Sequence, residues 1–576
     1  MALSPFYSLR IHAMKYLPTQ LLFFLHHRAG RRNVVLLGKF LLAFMMAVTL
    51  YSLLFHVLMA REGQEHTWIT GFYWTLTVMS TLGFGDITFH TDLGRLFSIL
   101  VLMSGSTFML ILLPFTFIEF FYSPWVKAQQ AARVPREVPE EMEGHVVLTH
   151  LDAVTAALVT KLDQYQYPYV LLVDDINEAQ GLLDESYKVV IGALDDPDSY
   201  QRIRLEQAAL VVSTATDVIS TNVSFTVRES SEKVPIIAMA RTEAAEDVLK
   251  LAGCNHVLRL GEMMGQFLSR RVVGGDALTH IIGKFDELLI AETLARGTPL
   301  VGKTLAEARL RETTGVSVVG LWERGRFHVA RPDTKITSGA VLVMAGSEAQ
   351  LSQYDELFCI YHAIDAPVVI LGGGRVGRAT ARSLEERKID YRMVERLPGR
   401  IRNKAKSVAG DAADPRILEE AGIFQSPSVV ITPHDDNLNI YLTILCRKLR
   451  PDIQIISRAT QDRNVSSLHR AGADIVASYA SMGANAIFNL LQRGDVLMVA
   501  EGLNVFKVKM PASLAGKTIA ESDVRQDTGC SVVALNVDGR MAINPDPMEP
   551  MPEQAGLVLI GTSEAEQKFI ARYGSS

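Results

Sequence analysis

The sequence predicts an α-helical membrane domain with two spans, followed by two copies of an α/β domain that each end in a small α+β lobe. Two apolar runs near the N-terminus, 34–60 and 94–122, are each long enough to cross a bilayer as a helix. Beyond them, short apolar runs alternate with helical segments, which is the pattern of a parallel sheet covered by helices. Segments of the second half repeat segments of the first half, which indicates a duplicated pair of domains.

The distribution of charge predicts the orientation of the membrane domain. No Asp or Glu occurs from Met1 to Arg61, whereas Arg and Lys recur there. By the positive-inside rule, the basic segment 1–33 and both termini are cytoplasmic, in a multi-pass protein of the inner (plasma) membrane. The cysteines all follow the membrane part and lack the spacing of metal ligands, as expected of reduced cytosolic thiols (Cys254, Cys359, Cys446 and Cys530).

A short aromatic segment, 66–80, lies between the two spans and is followed by the glycine-containing stretch 81–86. The aromatic segment has the length of a re-entrant helix, whose C-terminal dipole favours a nearby cation. Because glycine enters left-handed conformations at little cost, Gly83 and Gly85 allow alternating φ signs that point successive carbonyls the same way. Four such stretches around an axis would replace the hydration shell of K⁺ with rings of oxygens, at Thr81, Leu82, Gly83 and Phe84.

The stretch from Thr81 to Asp86 resembles the selectivity filter of potassium channels, which is usually written T-V-G-Y-G-D. Leu82 keeps the apolar character of the usual valine, whereas Phe84 lacks the tyrosine hydroxyl that could tie the filter to its surrounding helix. The alternative is a chance turn, but the order span, re-entrant helix, filter, span favours a pore domain over 34–122. A two-span subunit cannot enclose a pore alone, so the resemblance implies a homotetramer in the lipid bilayer.

The second span carries two candidate bending points. Gly105 lies nineteen residues after Asp86, where potassium channels carry a gating hinge. Glycine weakens a helix locally, and Pro114 removes a backbone donor further along the same span. The alternative role of Gly105 is to permit close packing between helices.

The second copy carries a nucleotide-binding pattern. Val368–Leu371 is a predicted strand, and the glycines of the motif Gly372-x-Gly374-x-x-Gly377, which includes Arg375 and Val376, open a helix whose amides can hold a phosphate. Glu395 ends the next strand, twenty-one residues past Gly374, where a carboxylate binds ribose hydroxyls and repels a 2′-phosphate. The remaining predicted ligand-binding residues follow this strand and the two strands after it (Arg396, Asp411, Ala412 and Thr432).

The first copy lacks this chemistry. His150, Leu151, Asp152 and Thr155 stand where the second copy has its glycine motif, so side chains fill the space of a pyrophosphate. We expect a poor or altered ligand site there. The acidic run of Asp195, Asp196 and Asp198 has oxygen ligands suitable for Ca²⁺, although such a run is more often a solvated turn.

The whole cytoplasmic part resembles a tandem RCK (regulator of potassium conductance) module, in which each copy joins a Rossmann-like N-lobe to a C-lobe. The chain is therefore similar to prokaryotic two-span potassium channels whose RCK lobes form a cytosolic gating ring. The resemblance divides the chain after the pore domain into a linker, two N-lobes and two C-lobes (123–143 linker, 144–284 and 285–358 for the first RCK copy, 359–495 and 496–576 for the second).

The sequence thus predicts a potassium channel that transports K⁺ and is regulated by a small-molecule nucleotide, NAD(H) or ADP/ATP, with no catalytic residues and no nucleic-acid partner. One alternative is a membrane-anchored NAD-dependent oxidoreductase, but no convincing proton donor accompanies the glycines. Another is a regulatory subunit of a potassium transporter, which normally lacks a pore of its own, so the filter from Thr81 to Gly85 disfavours it.

Overall fold

A computed structural model describes residues 28–119, 134–272, 278–323, 326–358, 366–492, 496–498 and 502–573. The chain forms two compact units, Met1–Val134 and Pro135–Ser576. Three predicted segments lie wholly or partly outside the described residues: most of the basic N-terminal segment, the end of the second span, and most of the linker 123–143.

The membrane unit consists of two long apolar helices with a short helix between them. The stretches Gly38–Arg61 and Asp92–Thr116 are long and apolar enough to cross a bilayer. The second long helix changes its hydrogen-bonding pattern from α to π and back to α. The helical segments are α1 (Arg28–Arg61), α2 (Trp68–Met79), α3 (Asp92–Ser106), a π-helical segment (Thr107–Leu112) and α4 (Leu113–Phe117).

Aromatic side chains hold the membrane unit together. Phe55 of α1 and Trp74 of α2 are buried, and their rings stack with centroids 5.0 Å apart. Phe89 packs edge-on against both rings, at 5.7 Å from Phe55 and 5.3 Å from Trp74. The carboxylate of Glu62, just after α1, accepts hydrogen bonds from the backbone N–H of His90 and Thr91, at 2.9 and 3.1 Å. These contacts place the short helix between the two spans.

Each N-lobe of the second unit, Pro135–Ser576, is a six-stranded parallel sheet covered by helices. The strand order is β3-β2-β1-β4-β5-β6 in the first copy and β14-β13-β12-β15-β16-β17 in the second, so each order reverses beside its first strand. The central strands are buried on both faces, as their runs of Val, Ile and Leu predict. The first N-lobe contains β1 (Val146–Leu148), α5 (Ala153–Gln164), β2 (Tyr169–Val173), α6 (Ile176–Asp184), β3 (Val189–Ile191), α7 (Pro197–Arg202), β4 (Leu210–Ser213), α8 (Asp217–Ser230), β5 (Ile236–Met239), α9 (Glu243–Leu251), β6 (His256–Leu258) and α10 (Leu260–Arg270).

Each C-lobe is built on a five-stranded sheet, with strand order β10-β9-β11-β8-β7 in the first copy and β18-β19-β22-β20-β21 in the second. The two sheets share one apolar core, to which Leu288 and Val343 contribute from the first copy and Val505 and Val558 from the second. The first C-lobe contains β7 (His280–Phe285), β8 (Leu288–Leu294), α11 (Leu305–Ala308), α12 (Leu310–Thr314), β9 (Ser317–Glu323), β10 (Arg326–Val329), β11 (Val341–Gly346) and α13 (Glu348–Phe358).

The remaining elements belong to the second copy. Its N-lobe contains β12 (Val368–Leu371), α14 (Arg375–Glu386), β13 (Tyr391–Glu395), β14 (Ser407–Ala409), α15 (Pro415–Glu420), β15 (Ser428–Ile431), α16 (Asp436–Leu449), β16 (Gln454–Ala459), α17 (Val465–Ala471), β17 (Ile475–Ser478) and α18 (Tyr479–Leu491). Its C-lobe contains β18 (Val496–Met498), β19 (Leu503–Lys509), α19 (Val524–Thr528), β20 (Ser531–Val537), β21 (Arg540–Ile543), β22 (Gly556–Thr562) and α20 (Ser563–Tyr573). The predicted fold class is confirmed in both copies.

The two N-lobes pack against each other through their first and last helices. Helix α10 of the first lobe lies on α14 of the second, so closely that a Cβ atom on Gly265 would come within 2.4 Å of the Cβ of Ala379. Helix α18 of the second lobe lies on α5 of the first, where a Cβ atom on Gly483 would approach Val154 to 2.6 Å. Helix α14 of the second copy is therefore in direct contact with the first copy.

Candidate pore and nucleotide site

The backbone of the stretch after α2 alternates in the sign of φ. The φ angles of Thr81, Gly83 and Gly85 are +64°, +44° and +74°, and the residues between them do not have positive φ. The amides of Leu82 and Gly83 both donate to the carbonyl oxygen of Thr77, at 3.0 and 3.1 Å, so the loop begins from a fixed helix end. The side chains of Leu82 and Phe84 are 64% and 66% exposed.

Two aromatic residues of α2 fasten the far end of this loop. The Tyr73 hydroxyl donates to a carboxylate oxygen of Asp86 at 3.0 Å, and the Trp74 indole N–H donates to the carbonyl oxygen of Ile87 at 3.2 Å. The rings of Tyr73 and Phe84 are nearly parallel, with centroids 6.5 Å apart. A tyrosine hydroxyl on α2 therefore ties this loop to the short helix, although Phe84 itself has no hydroxyl.

Gly105 lies against the short helix. A Cβ atom at this position would come within 2.4 Å of the Cα of Met79, so only glycine fits without displacing α2. The departure from α-helical geometry begins two residues later, in the π-helical segment Thr107–Leu112, and Pro114 follows it. π-Helical segments and prolines are the usual places where helices bend. The packing role that the sequence allowed for Gly105 is thus visible in its surroundings.

In the second copy, the glycine motif forms a tight turn between β12 and α14. Gly372 has φ +99°, a conformation that favours glycine. A Cβ atom on Gly377 would lie 1.9 Å from the carbonyl oxygen of Gly372, so this glycine lets the helix approach the turn. No atom lies within 4 Å of the Cβ position of Gly374, which is the N-cap of α14. The helix N-terminus therefore faces an open space where a phosphate can accept its amide hydrogens.

Glu395 and Thr432 adjoin this turn. One carboxylate oxygen of Glu395 accepts from the backbone N–H of Gly373 at 2.7 Å, and the other accepts from that of Leu397 at 2.8 Å. Each carboxylate oxygen has a further lone pair, so Glu395 can still accept hydrogen bonds from ribose hydroxyls. The Thr432 hydroxyl lies 2.9 Å from the carbonyl oxygens of both Leu371 and Gly372, so its hydrogen bond to them stabilises the turn.

Basic side chains surround the start of α14. Arg375, the first residue of the helix, is exposed, whereas Arg378 donates to the carbonyl oxygen of Gly373 at 2.7 Å. Burial lowers the pKa of Arg378, and the positive charges of neighbouring arginines lower it further (Arg402, Arg382, Arg400 and Arg375). Arg396 and Asp411 form an exposed ion pair at 3.8 Å after β13 and β14. This concentration of guanidinium groups favours an anionic ligand.

The first copy uses the corresponding helix N-terminus differently. Asp152 caps α5, and one of its carboxylate oxygens accepts from the amides of Val154 and Thr155 at 2.9 and 3.0 Å. The protein's own carboxylate thus occupies the place of a ligand phosphate. His150 is exposed and Leu151 half-buried beside this turn, where they replace the glycines of the second copy.

The acidic run that was a candidate Ca²⁺ site serves a structural role. Asp196 is the N-cap of α7 and accepts from the backbone N–H of Asp198 at 3.1 Å, while Arg202 lies 3.8 Å from its other carboxylate oxygen. Asp195 is exposed beside the buried Tyr200. Among the described residues, no group of three or more His, Cys, Asp or Glu side chains is arranged to hold a metal ion.

Two residues of these sites escaped the sequence analysis. Tyr73 was noted only as part of an aromatic segment, and Arg378 was not singled out at all. A positional signal was available for each, because Tyr73 lies in the middle of α2 and Arg378 one turn into α14. Their partners, Asp86 and the carbonyl of Gly373, depend on side-chain directions that spacing alone does not give.

Comparisons with protein families match most of the chain. The family described as "Ion channel" matches residues 39–121. The family described as "TrkA-N domain" matches 146–260 and 368–479, and the one described as "TrkA-C domain" matches 289–358 and 505–574. The order of these matches agrees with a pore domain followed by two copies of an N-lobe and a C-lobe.

Individual relatives agree with these families. A solved structure described as the GsuK channel bound to NAD is 36% identical, with a TM-score of 0.58, and the match covers 94% of this chain and 99% of that one. Potassium channel protein 1 of Methanocaldococcus jannaschii is 19% identical over 52% of this chain and 90% of its own length. A TrkA homolog of the Trk potassium uptake system from Pyrococcus abyssi is 29% identical over 35% of this chain and 94% of its own length. The family resemblance inferred from the sequence is confirmed.

Proposed function

The chain belongs to the family of ion channels that includes GsuK and carries tandem TrkA-N and TrkA-C domains, and on this premise we propose a potassium-selective channel gated by a cytosolic nucleotide. The observation that carries the proposal is the loop from Thr81 to Gly85. Its positive φ angles alternate with negative ones, and it lies between two apolar helices in the same chain as an open glycine turn at Gly374. Rings of backbone carbonyls from such loops can replace the water around K⁺.

The pore requires a homotetramer, because one subunit contributes one filter loop. Exposed apolar side chains on the cytoplasmic unit support contacts between copies of this chain. They lie on one helix pair of the first N-lobe and on the corresponding helix of the second (Val218, Phe225, Val248 and Leu251 on α8 and α9; Leu438, Tyr441 and Ile444 on α16). The basic N-terminus supports an inner (plasma) membrane location with both termini cytoplasmic.

The proposed regulatory ligand is NAD(H), with ADP or ATP as competitors, bound in the second copy. The GsuK structure bound to NAD supports this choice. The pyrophosphate would accept hydrogen bonds at the N-terminus of α14, Glu395 would bind the ribose hydroxyls, and Arg396 and Asp411 would border the adenosine half. The remaining proposed contacts come from the turn and from the strand ends (Gly372, Gly374, Arg375, Val376, Gly377, Ala412 and Thr432).

The gate is proposed to move by bending of the second span between Gly105 and Pro114. The backbone hydrogen bonds of the π-helical segment Thr107–Leu112 are weaker than those of an α-helix. The side-chain hydroxyls of Ser104, Ser106 and Thr107 also donate to backbone carbonyls of the preceding turn, where they compete with the helix amides. Ser104 donates to the carbonyl oxygen of Leu100 at 2.8 Å and Thr107 to that of Met103 at 2.8 Å. A ligand shifts such an equilibrium only by binding one conformation of the gating ring more tightly than the other.

The ligand is proposed to regulate and not to react. An ion-channel domain within the same chain, matched over residues 39–121, supports this over both an oxidoreductase and a transporter subunit without a pore. When NADH is incubated with the purified protein, the absorbance of the reduced nicotinamide should remain unchanged. Steady consumption of NADH by the protein alone or with added substrates would support the oxidoreductase instead.

The experiment that tests the proposal measures K⁺ flux from liposomes as NAD⁺, NADH, ADP or ATP is added. The variant Gly374→Asp places a carboxylate in the open space before α14 and should abolish the response to nucleotide while K⁺ flux persists. Gly339→Asp is the matched control, because its Cβ position is equally open but lies in the first C-lobe. Persistence of the nucleotide response in Gly374→Asp would refute the assigned site.

A further inference from the structure

A histidine of the first long helix contacts the start of the short helix, outside the residues assigned above. Nδ1 of His56, in the last part of α1, lies 2.8 Å from the carbonyl oxygen of Ser52, and its Nε2 lies 3.0 Å from the carbonyl oxygen of Thr67. Thr67 is the N-cap of α2. The imidazole therefore bridges one span to the first turn of the helix that leads into the filter loop.

The imidazole of His56 fits between the two helices. It stacks on the indole of Trp68, the first residue of α2, with ring centroids 4.5 Å apart and planes inclined by 25°. A glycine of α2 leaves space for the ring, because a Cβ atom on Gly71 would overlap it. The side chain is half-buried. Its orientation is thus fixed by contacts on both helices.

Both atoms that the ring nitrogens face can only accept hydrogen bonds. A carbonyl oxygen has no hydrogen to donate, and a neutral imidazole carries a hydrogen on only one of its two nitrogens. A neutral His56 can therefore donate to one carbonyl, while its other nitrogen turns a lone pair toward the second oxygen. An imidazolium ring donates to both, and the face of Trp68 attracts a cation. The bridge is complete only when His56 is protonated.

Charged side chains nearby do not form this bridge. Among the residues that the structure describes, none donates to or accepts from the ring of His56 through a charged side chain, and α2 contains no Asp, Glu, Lys, Arg or His. Hydrogen bonds from the His90 backbone and the Thr91 hydroxyl lower the pKa of Glu62, so its carboxylate stays ionised between pH 6 and 8. The other charged or titratable groups of this region lie in the connections on either side of α2 and at the start of α3 (Arg61, Glu65, His66, Asp86, His90, Asp92 and Arg95).

We propose that His56 is a positioning residue of the pore, whose hold on α2 strengthens when its ring is protonated from the outer side of the membrane. The inference rests on the potassium channel and the orientation proposed above. Histidine is the side chain that ordinarily changes charge between pH 5 and 8. The amides of Leu82 and Gly83 donate to the carbonyl oxygen of Thr77, so the position of α2 sets that of the filter loop. Acidification outside therefore holds the filter more firmly and raises its selectivity for K⁺ over Na⁺.

The test measures the permeability ratio of K⁺ to Na⁺ for the purified full-length protein in planar bilayers, with pH changed on one side at a time. This ratio does not depend on how many channels are open, so an effect of pH on the gate does not alter it. The side on which nucleotide acts marks the cytoplasmic face.

The variant His56→Gln does not titrate, and its single amide group cannot reproduce the two opposed donors of an imidazolium ring. The matched controls are His66→Gln and His90→Gln, which remove the other histidines of residues 28–119. Thermal unfolding and the elution volume of each variant show whether it is folded and assembled like the wild type.

In the wild type, the permeability ratio should rise by about two- to tenfold as the outer pH falls from 8 to 6, the range equivalent to one hydrogen bond. It should stay constant in His56→Gln and rise as in the wild type in both controls. A wild-type ratio that is independent of outer pH, or the same rise in His56→Gln, overturns the inference while leaving the channel in place. A rise that is lost in a control, or that follows pH on the nucleotide side, also overturns it. A ratio near one at every pH overturns the proposed potassium channel itself.

Discussion

The hydroxyl of Tyr73 donates a 3.0 Å hydrogen bond to Asp86, across the filter loop that separates them. The bond joins the middle of the short helix to the residue that ends the loop. With the bond from the Trp74 indole to the carbonyl of Ile87, it holds the outer end of the filter in one position. Because ion selectivity depends on the spacing of carbonyl oxygens, this bond is expected to act on selectivity more than on folding.

Loss of the Tyr73 hydroxyl should therefore loosen the filter. The variant Tyr73→Phe keeps the ring beside Phe84 and removes one hydrogen bond to a charged group, worth about 1.5–3 kcal/mol. We expect a lower permeability ratio of K⁺ to Na⁺, by roughly fivefold or more, measured in liposome flux. The double variant with Asp86→Ala should be no worse than the more severe single variant, because both remove the same bond. Additive losses would show that the two residues act separately.

Alanine substitution at two glycines of the second-copy turn should have different effects, a loss of stability at Gly377 and a loss of nucleotide affinity at Gly374. A Cβ atom on Gly377 would clash with the carbonyl oxygen of Gly372, so Gly377→Ala should destabilise this lobe by about 2–4 kcal/mol. The Cβ position of Gly374 is open, so Gly374→Ala should unfold at the wild-type temperature and yet bind nucleotide less tightly, because the methyl group occupies ligand space. Thermal unfolding with and without NAD⁺ separates the two effects. Equal unfolding temperatures for both variants would contradict the geometry of the turn.

The carboxylate of Glu395 should set the choice between NAD⁺ and NADP⁺. Its two oxygens are held beside the turn by the amides of Gly373 and Leu397, and its negative charge repels a 2′-phosphate. The variant Glu395→Gln should bind NAD⁺ roughly tenfold more weakly and discriminate less against NADP⁺. Dissociation constants for both ligands measure this. If Glu395→Gln discriminates between NAD⁺ and NADP⁺ as the wild type does, the ribose does not bind at Glu395.

Acidification should destabilise the cytoplasmic unit through a buried histidine of the first N-lobe. His145 is fully buried, and its Nε2 lies 2.8 Å from the carbonyl oxygen of Ile203. Burial lowers the pKa of His145 in the folded protein below that of the unfolded chain. The unfolded state therefore binds more protons, so the stabilising contribution is fully present above about 6.5, the ordinary histidine value, and is lost progressively as pH falls from there toward the lower folded-state pKa.

The variant His145→Gln tests this pH dependence, because it keeps a hydrogen-bond donor and does not titrate. Unfolding free energies of the wild type and the variant, measured between pH 7.5 and 5.5, should converge as pH falls. Parallel curves for the two proteins would show that His145 does not titrate in this range.

Much of the architecture was predictable because it follows from hydrophobic periodicity. The two spans, the alternation of strands and helices, and the duplication are patterns of many residues, so single exceptions do not hide them. The first helix begins at Arg28, ahead of the predicted start at 34, because a helix continues past the apolar stretch that crosses a bilayer. The glycine motif was equally visible, since Gly372 and Gly377 are required by backbone geometry.

The rest depends on contacts between side chains distant in sequence. From the sequence, Asp152 was expected to repel a phosphate at the turn of the first copy. Its hydrogen bonds as the N-cap of α5 were not predicted. The π-helical segment after Gly105 was not predicted, because the spacing of apolar residues does not distinguish π- from α-helical hydrogen bonding.

The most direct test of the account is K⁺ and Na⁺ flux from liposomes that contain the purified protein, measured with and without NAD⁺ or NADH. The account predicts flux of K⁺ well above that of Na⁺, and a change in K⁺ flux when nucleotide is added on the cytoplasmic side. Equal flux of the two ions, or K⁺ flux that no nucleotide alters, would contradict it.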